Sequence, residues 1–422
     1  MHLCHFEDRA EQFAPLSLTR PVFDLRCGLA TLAEKQRRHF AATSWSVVVR
    51  PALADWYRSE HPELAINGDG TFHGEDQILV NGRWLPPDDS FVAPATSCVG
   101  MAGDSLAYVF MRKSDVCAGG LTQLLRQGLE TAPSCESGGR LLGYPWELVD
   151  ANAAEIRRDF TWLDAPPRQE WDDLPFTLLG PRGNLWIAPS ATIEPLVVLD
   201  ATRGPIVVDE NAVVSAFTRL EGPCWIGPNS QVFGAKIRAG TSIGPHCRIG
   251  GEVEASILHG YANKYHEGFL GHSYLGEFVN LGAGTHNSDL RNDYGEVRVI
   301  QHGDAIPTGL TKVGCFLGDH TKTGLGTLLN TGTNIGAFCN VLPAGRFAPK
   351  YVPSFTSWWN GSLSEAFTFE QLLATAEVAM QRRGVTLTDA HKALYAGLFD
   401  ESANERRRAL RESEQRFLRK SA

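Results

Sequence analysis

The stretch that decides the fold is residues 206–250, which read IVVDENAVVSAFTRLEGPCWIGPNSQVFGAKIRAGTSIGPHCRIG. Aliphatic residues recur in it every six positions, with a single one-residue slip, at Val208, Val214, Leu220, Ile226, Val232, Ile237, Ile243 and Ile249. One hexapeptide forms a short strand and a turn, and three form a triangular coil that must stack on further coils to bury its aliphatic side chains. A β-sandwich has no reason to keep a period of six over consecutive turns. The pattern therefore predicts a left-handed parallel β-helix built from hexapeptide repeats.

A second run with the same period extends the predicted β-helix domain over residues 180–352. Its periodic positions are Leu317, Thr323, Leu329, Ile335, Val341 and Phe347. Between the two runs, from about Ile257 to Val313, the period breaks in a segment rich in His, Asn, Tyr and Gly. Loops that leave a rigid scaffold often carry function. We therefore expect functional residues in this segment.

The two ends of the chain follow different patterns. Residues 1–165 mix strand patterns, at 45–49 and 77–80, with helical patterns at 28–40 and 145–160, and this mixture predicts an α/β domain. Residues 164–168, which read DAPPR, form the predicted linker. A helical extension is predicted over 362–422, with one helix that begins at Thr368 and ends at Arg382-Arg383-Gly384. The basic run at 406–408 is interpreted as a solvated or packing helix face.

Composition limits the classes of partner. The formal net charge is −9, which disfavours nucleic acid as the main partner because phosphate backbones are bound by basic surfaces. No stretch is apolar enough to span a membrane, and the first eight residues carry acids where a secretory signal has its apolar core. The nine cysteines form no regular framework. We expect a cytoplasmic protein with reduced thiols.

Residues 263–285 carry a more specific pattern. They read NKYHEGFLGHSYLGEFVNLGAGT. This segment resembles the acetyltransferase site of the bifunctional N-acetylglucosamine-1-phosphate uridylyltransferase/glucosamine-1-phosphate N-acetyltransferase family, in which a histidine precedes Val-Asn-Ile-Gly-Ala-Gly-Thr by the same spacing. The resemblance places His266 on the family's general base and Asn280 on its sugar-contacting asparagine. His272 is the second candidate for the base, and Lys264 is the candidate substitute for a lysine that the family places shortly before it.

Weaker similarities imply further substrate contacts. Ile237-Arg238-Ala239-Gly240 resembles the family's Leu-Arg-Pro-Gly, whose arginine holds the sugar phosphate. Asn292 and Tyr294 stand within a few residues of the family's Asn-Tyr pair. The resemblance therefore implies an amino-sugar phosphate bound near Arg238 and Lys264.

The same resemblance implies acetyl-CoA as cosubstrate. Residues 316–321, which read FLGDHT, are similar to the coil whose backbone cradles acetyl-CoA, so that Asp319 and Thr321 are expected to bind it. Backbone N–H groups of the turn formed by Gly282, Ala283 and Gly284 are expected to stabilise the oxyanion of acyl transfer. A homotrimer is also implied, because the groove between neighbouring β-helices would place the pantetheine arm.

The N-terminal part is similar to a divergent sugar nucleotidyltransferase branch of the same family. Residues 15–26 read PLSLTRPVFDLR, and from the resemblance Arg20, Arg26 and Asn81 are candidate substrate contacts. Mg²⁺ is the metal that such a domain implies. The chain departs from the family here: it lacks the Gly-rich G-x-G-T-R-M loop, and Asn81-Gly82-Arg83 stands where a metal-holding Asp is expected. An amide is a poorer ligand than a carboxylate for Mg²⁺.

The expected function is that of a transferase in UDP-N-acetylglucosamine biosynthesis. It combines acetyl transfer from acetyl-CoA to glucosamine 1-phosphate with nucleotidyl transfer to the sugar 1-phosphate. Two alternatives stay open. A metalloenzyme of the carbonic-anhydrase type is suggested by His259, His266, His272 and His286, although their spacing matches no known metal pattern and no metal ligands are assigned. A non-catalytic, sugar-nucleotide-sensing trimer is suggested by the missing Gly-rich loop.

Overall fold

The computed structural model describes residues 1–68, 74–116, 119–164, 175–343 and 345–421, with only the backbone described for 416–421. An α/β domain, a parallel β-helix and C-terminal helices follow one another along the chain, which confirms the predicted fold class. Beyond Asp164, the predicted linker lies outside the described residues. Among the described helices, none is long and apolar enough to cross a membrane.

The α/β domain is built on a seven-stranded mixed sheet. From edge to edge its strands are Ser134–Glu136, Cys98–Ala102, Ser105–Met111, Gln77–Asn81, His2–Phe6, Ser44–Val48 and Ala65–Ile66. The last four run parallel to one another, while Ser105–Met111 runs antiparallel to both of its neighbours. Fully buried Val, Ile and Leu side chains in the central strands explain why a continuous apolar run forms a strand here.

The described residues of this domain form four α-helices. They are α1 (Leu32–His39), α2 (Pro51–Glu60), α3 (Leu121–Thr131) and α4 (Pro145–Phe160). A capping box between Thr31 and Glu34 fixes the start of α1, and a proline in the first turn starts both α2 and α4. The predicted helix at 145–160 is therefore confirmed to the residue. Short elements complete the domain: paired strands Arg26–Cys27 with Ala30–Thr31 and Trp84–Leu85 with Arg140–Leu141, and 3-10 turns Ala10–Phe13 and Val22–Asp24.

The β-helix has three faces of parallel strands, which we number in chain order. Face one comprises Leu185–Ile187, Ile206–Val208, Cys224–Ile226, Thr241–Ile243, Ile257–Leu258, Tyr274–Leu275, Cys315–Leu317, Thr333–Ile335 and Tyr351–Val352. Face two comprises Thr192–Ile193, Val213–Val214, the first halves of Gln231–Ile237 and Arg248–Glu254, and then Asn263–Lys264, Asn280–Leu281, Lys322–Thr323, Asn340–Val341 and Ser357–Trp359. Face three comprises Thr177–Leu179, Val198–Asp200, Arg219–Glu221, the second halves of the two long strands, Phe269–Gly271, His286–Asn287 and Leu328–Leu329.

The register between coils confirms the hexapeptide interpretation. On face one Ile206 pairs with Cys224 and Cys315 with Thr333, which are residues eighteen apart, or three hexapeptides. The coils also continue through 257–287, where the sequence pattern predicts a break, so that prediction was wrong for this part. The reason is Lys264, which occupies an inward position that is aliphatic in most other coils and is only 2% exposed. The insertion itself is shorter and contains the hairpin Arg298–Gln301 and Asp304–Pro307.

Face one is covered by the α/β domain. Arg20 lies between Asp319 and Glu277 of the β-helix, with 3.1 Å from its Nη1 to Asp319 Oδ1 and 3.1 Å from its Nη2 to Glu277 Oε2. Thr19 donates a further bond of 2.7 Å to Asp319. Removal of one member of a buried ion pair leaves the other charge without compensation. This cluster therefore fixes how the two domains sit together.

Aromatic side chains form a stack along the first corner, between faces one and two. The stack consists of His246, Tyr261, Phe278, His320, Phe338 and Phe355. Successive ring centroids are 4.7–5.0 Å apart, which matches the spacing between neighbouring strands. All six residues have φ between 53° and 60°, a left-handed conformation that costs a non-glycine residue about 1–2 kcal/mol. Stacking and burial offset that cost.

The C-terminal helices α5 (Phe369–Gln381), α6 (Asp389–Glu401) and α7 (Ala403–Ser421) follow the β-helix, and α5 and α6 pack on this stack. Tyr395 of α6 meets the rings of His320 and Phe338 edge-on, and its hydroxyl lies 3.2 Å from His320 Nε2. On its other side α6 packs against α2 of the α/β domain. One apolar cluster therefore joins all three parts of the chain.

We predict that Phe338→Ala lowers the free energy of unfolding by about 3 kcal/mol, because a ring that is 2% exposed leaves a cavity in the stack. Phe217→Ala is the matched control, since Phe217 also has a positive φ at a corner but is 76% exposed. Its change should stay below about 0.5 kcal/mol. Urea unfolding of both variants measures the difference, and equal losses would show that the stack adds nothing to stability.

Candidate functional site

A pocket of about 850 Å³ lies on face two, between the β-helix and α5. Its floor consists of Arg248, Asn263, Asn280 and Lys322, its inner side of Tyr261 and Phe278 from the aromatic stack, and its outer edge of Tyr265 and His266. Its wall is one side of α5, with Ala374, Thr375, Val378, Ala379, Arg382 and Arg383. Pockets of this size hold small organic ligands. The face-two pocket is therefore the candidate site.

The floor is a ladder of polar side chains in register. Arg248 pairs with Asn263, Asn263 with Asn280 and Asn280 with Lys322, so that each lies one strand above the last. Asn263 Nδ2 donates a 2.5 Å hydrogen bond to Asn280 Oδ1. Three strand spacings separate the backbones of Arg248 and Lys322 by about 14 Å. The ladder thus presents two amides between two cations.

His266 stands at the second corner, between faces two and three, beside the ladder. Its side chain is exposed, and its ring meets that of Tyr265 at 4.9 Å in an edge-on arrangement. Within the described residues it is the one histidine that lines the pocket. An imidazole with open access to a ligand-sized cavity can exchange protons with a bound molecule.

Lys264 supports the corner that carries His266. Its ammonium donates 2.7 Å and 3.0 Å bonds to the carbonyl oxygens of Gly250 and His266 from inside the β-helix. Burial lowers the pKa of Lys264 to about 8, against a smaller opposing effect of the Glu267 carboxylate. The sequence predicts Lys264 as a phosphate ligand, but the structure places it as an internal brace for the corner.

The cations of the pocket have no carboxylate beside them. Within the described residues, neither Asp nor Glu lines the pocket, and no ion pair is formed by Arg248, Lys322, Arg382 or Arg383. Burial, followed by the charge of Arg248, lowers the pKa of Arg383. Burial also lowers the pKa of Lys322, to about 8. An anionic ligand would relieve this repulsion, so the pocket suits a phosphorylated molecule.

A second group of predicted residues lies at the third corner, between faces three and one. His272 Nδ1 is 2.7 Å from Asp289 Oδ2. Burial of Asp289 acts to raise its pKa, but this hydrogen bond and the charges of His272 and Lys312 together outweigh burial and lower the pKa of Asp289. Arg238 lies nearby in ion pairs with Glu252 and Glu254. These residues form a paired cluster on a surface, not part of the face-two pocket.

Other predicted residues lie at the domain interface. Arg20 and Asp319 are bonded to each other, and Thr321 is buried with its hydroxyl donating 2.6 Å to the carbonyl of Gly336. Arg26 donates to the carbonyl of His259 at 3.2 Å and lies over the ring of Trp225. The polar groups of these side chains therefore already have hydrogen-bond partners within the protein.

The remaining predicted residues lie at three further places. Asn292 and Tyr294 are exposed in the insertion, with Tyr294 at 73%. Gly282, Ala283 and Gly284 form the turn of the second corner one coil above His266. The N–H groups of Gly282 and Gly284 already donate to the carbonyls of Thr323 and Glu267. Within the described residues, the N–H of Ala283 is the one of the three with no backbone partner.

The carboxyl ends of the central strands in the α/β domain hold Asn81. Asp8 Oδ2 accepts hydrogen bonds from Asn81 Nδ2 at 3.0 Å and Arg83 Nε at 2.8 Å. Burial disfavours the charged form of Asp8, but these bonds and the charges of Arg83 and Arg9 together outweigh burial and lower the pKa of Asp8. Mg²⁺ needs several free oxygen ligands. One carboxylate already paired with an arginine and one amide do not fit that ion.

The described residues also give the metalloenzyme alternative no ligand set. Nowhere in the described ranges do three His, Cys, Asp or Glu side chains converge in a way that could hold a metal ion. His259 is buried against Tyr274 with 3.1 Å between its Nδ1 and the hydroxyl, and His286 Nδ1 accepts from the N–H of Phe269. The four histidines that suggest this alternative lie at separate places.

Sequence reasoning missed most of the pocket. Arg248, Asn263 and Lys322 each stand one residue before an inward position, as Asn280 does, and so point outward on face two. That signal is present in the sequence. The juxtaposition of Arg382 and Arg383 with this ladder is not, because it arises from packing of α5 on the aromatic stack.

The fold and the site together define a class: a chain with an α/β domain ahead of a hexapeptide-repeat β-helix, with a basic pocket on one face of that β-helix. Residues 3–166 match the sequence model of the sugar nucleotidyl transferase family. The bifunctional sugar-1-phosphate nucleotidylyltransferase/acetyltransferase of Sulfurisphaera tokodaii is 33% identical over 149 residues, which cover 33% of this chain and 36% of that protein.

Other relatives are similar over parts of their length. The bifunctional protein GlmU of Prochlorococcus marinus is 29% identical over 178 residues, covering 41% of this chain and 33% of the relative. GlmU of Heliobacterium modesticaldum is 25% identical over 239 residues, covering 50% of each. The chain thus spans between a third and a half of these curated relatives. The predicted resemblance is confirmed, at low identity.

One solved structure illustrates how far this similarity extends. Arabidopsis UDP-N-acetylglucosamine acyltransferase covers 57% of this chain and 92% of its own length at 11% identity, with a TM-score of 0.28.

We predict that the stability of the wild type relative to Lys264→Met rises with pH. Because the pKa of Lys264 falls from 10.5 to about 8 on folding, the unfolded chain holds the proton between these pH values and the folded chain releases it. The free energy of unfolding should therefore increase by about 2 kcal/mol between pH 7.5 and pH 10, relative to the variant.

Urea unfolding at the two pH values measures this change. Lys236→Met removes an exposed lysine of the same β-helix and serves as control. A Lys264→Met difference that is the same at both pH values would contradict the prediction.

Proposed function

We propose that this chain transfers an acetyl group from acetyl-CoA to the amine of an amino-sugar phosphate. Glucosamine 1-phosphate is the proposed acceptor, in cytoplasmic biosynthesis of UDP-N-acetylglucosamine. One observation carries the proposal: His266 and Asn280 share one pocket with four cations, and no carboxylate from the described part of the chain lines it. The relatives named as nucleotidylyltransferase/acetyltransferases support the reaction type.

In the proposed mechanism His266 is the general base. It accepts a proton from the acceptor's ammonium group, which frees the nitrogen lone pair to attack the thioester carbonyl carbon. The tetrahedral intermediate loses a second proton from its nitrogen to solvent and collapses by cleavage of the C–S bond. The CoA thiolate that leaves takes up the proton held by the His266 imidazolium. Asn280, whose Oδ1 is fixed by Asn263, orients the sugar through its free amide donors. The N–H of Ala283 is the proposed oxyanion donor, because its neighbours in the turn are already bonded.

Nucleotidyl transfer is a second candidate activity, favoured by the family match over residues 3–166. Asp8, Asn81 and Arg83 are bonded to one another and do not offer the free oxygen ligands that Mg²⁺ needs. Release of pyrophosphate from UTP and N-acetylglucosamine 1-phosphate, measured with and without added Mg²⁺, tests this candidate. No release under either condition would confine the activity to the β-helix.

A homotrimer is part of the proposal. Face one and the first corner are covered by the chain's own domains, and α5 overhangs part of face two. Face three and the rest of face two are therefore the sides of the β-helix open to neighbours. Sedimentation equilibrium should give a mass three times that of the 46.2 kDa chain. A monomer would instead show that one chain suffices to build the pocket.

We predict that His266→Ala lowers kcat for acetyl transfer roughly 10²-fold or more, as expected when a general base is removed. Thiol release from acetyl-CoA with glucosamine 1-phosphate is the measurement. His272→Ala is the comparison, since His272 is bonded to Asp289 outside the pocket and should retain most of the activity.

A larger loss of kcat in His272→Ala than in His266→Ala would assign the role of general base to His272, with Asp289 as its partner. A wild type that releases no thiol with several amino-sugar phosphates would reject the acetyl-transfer proposal.

A further inference from the structure

The arginines beside α5 in the pocket wall have no role in the proposed acetyl-transfer mechanism. Arg382 and Arg383 follow the last turn of α5 and line the pocket opposite Arg248 of the β-helix floor. Arg248 and Arg383 are half-buried and Arg382 is exposed. Most other buried or half-buried arginines in the described chain have acidic partners. Arg20 contacts Asp319 and Glu277, and Arg406 contacts Glu365. The three arginines of this subsite form no such pair within the described residues.

Helix capping does not account for these arginines. Cations near a helix C-terminus commonly bind its last carbonyl groups. Here backbone N–H groups already do so: Arg382 donates to Val378, Arg383 and Val385 to Met380, and Gly384 to Gln381. Gly384 has φ of 73°, which lets the chain turn back to make these bonds. The side chains of Arg382 and Arg383 are therefore left for another partner.

The guanidinium of Arg383 lacks a hydrogen-bond acceptor within the described residues. Its Nε is buried and has no hydrogen-bond partner within the described residues. An unpaired buried donor carries a desolvation cost that a bound acceptor would remove. The charges of Arg248 and Arg382 also repel it, and they help to lower its pKa. This concentration of positive charge stands on a chain of net charge −9.

We propose that Arg248, Arg382 and Arg383 form a phosphate-binding subsite, so that the residues directly after α5 supply two of its three arginines from within the same chain. Planar guanidinium groups bind phosphate oxygens in a bidentate manner, and three of them suit a phosphate dianion or a diphosphate. The inference rests on the proposed function, in which both substrates carry phosphate: the sugar phosphate, and the nucleotide end of acetyl-CoA.

The test uses the full chain and measures binding directly. Isothermal titration of the wild type and of the double variant Arg382→Gln/Arg383→Gln is carried out with four probes: CoA, pantetheine, glucosamine 1-phosphate and glucosamine. Loss of two charge-assisted contacts should weaken the phosphorylated ligand of this subsite roughly 100-fold and leave the matching unphosphorylated probe unchanged. The double lysine variant should keep most of the affinity, because it keeps the charge.

Arg219→Gln is the matched control for loss of one positive charge. Arg219 lies on face three in ion pairs with Asp200 and Glu221, outside the pocket. It should bind all four probes as the wild type does. Circular dichroism of every variant verifies that the fold is retained.

The outcomes separate the sources of the phosphate. Weakening of CoA alone assigns the subsite to the acyl donor, and weakening of glucosamine 1-phosphate alone assigns it to the acceptor. Unchanged binding of both phosphorylated probes in the double glutamine variant, or no binding of either to the wild type, overturns the inference. Because these titrations need no turnover, arginine-dependent binding without acetyl transfer would reject the proposed function and leave the subsite standing.

Discussion

The left-handed backbone at the first corner of the β-helix is the constraint on which the rest of the structure depends. In the earlier coils this corner is occupied by Asn211 and Asn229, and asparagine tolerates a positive φ. From His246 onward the corner carries aromatic residues, whose stacking interval equals the distance between coils. Each ring therefore packs on the next without adjustment of the register. An otherwise strained corner becomes the apolar surface on which α5 and α6 pack.

The docking of these helices determines where the pocket lies. The stack faces α5 and α6 along one corner, so α5 overhangs face two and closes it into a cavity with the polar ladder as its floor. Face one is unavailable, because the α/β domain covers it through Arg20 and its partners. The segment that a sugar nucleotidyltransferase would be expected to use for its substrate thus holds two domains together instead. This arrangement is consistent with chemistry centred on the β-helix.

Sequence reasoning predicts the repeated parts of this structure well and the unique parts poorly. The period of six identifies the β-helix because every coil buries its aliphatic side chains in the same way. The helices α4 and α5 are predicted because a proline marks the first turn of α4 and a capping box that of α5. Lys264 causes the wrong prediction of a break near residue 257, since a lysine at an inward position interrupts the aliphatic pattern of the repeat. Of the predicted site residues, His266 and Asn280 come together because one coil separates them. Arg382 and Arg383 reach the same pocket only through tertiary packing, which no local pattern reports.

The cations of the pocket lack compensating charge from the described part of the chain, and a rigid framework is needed to hold them close together. Within the described residues the four cations of the pocket have no acidic partner, and burial disfavours the charged forms of Lys322 and Arg383. For Arg383, the charges of Arg248 and Arg382 add repulsion. Such clusters are typical of functional sites, where a ligand supplies the missing charge. A flexible loop would relax and let these side chains move apart. The coils of the β-helix and the helix held on the aromatic stack cannot do so easily, and the pocket therefore keeps its charge preorganised for an anionic ligand.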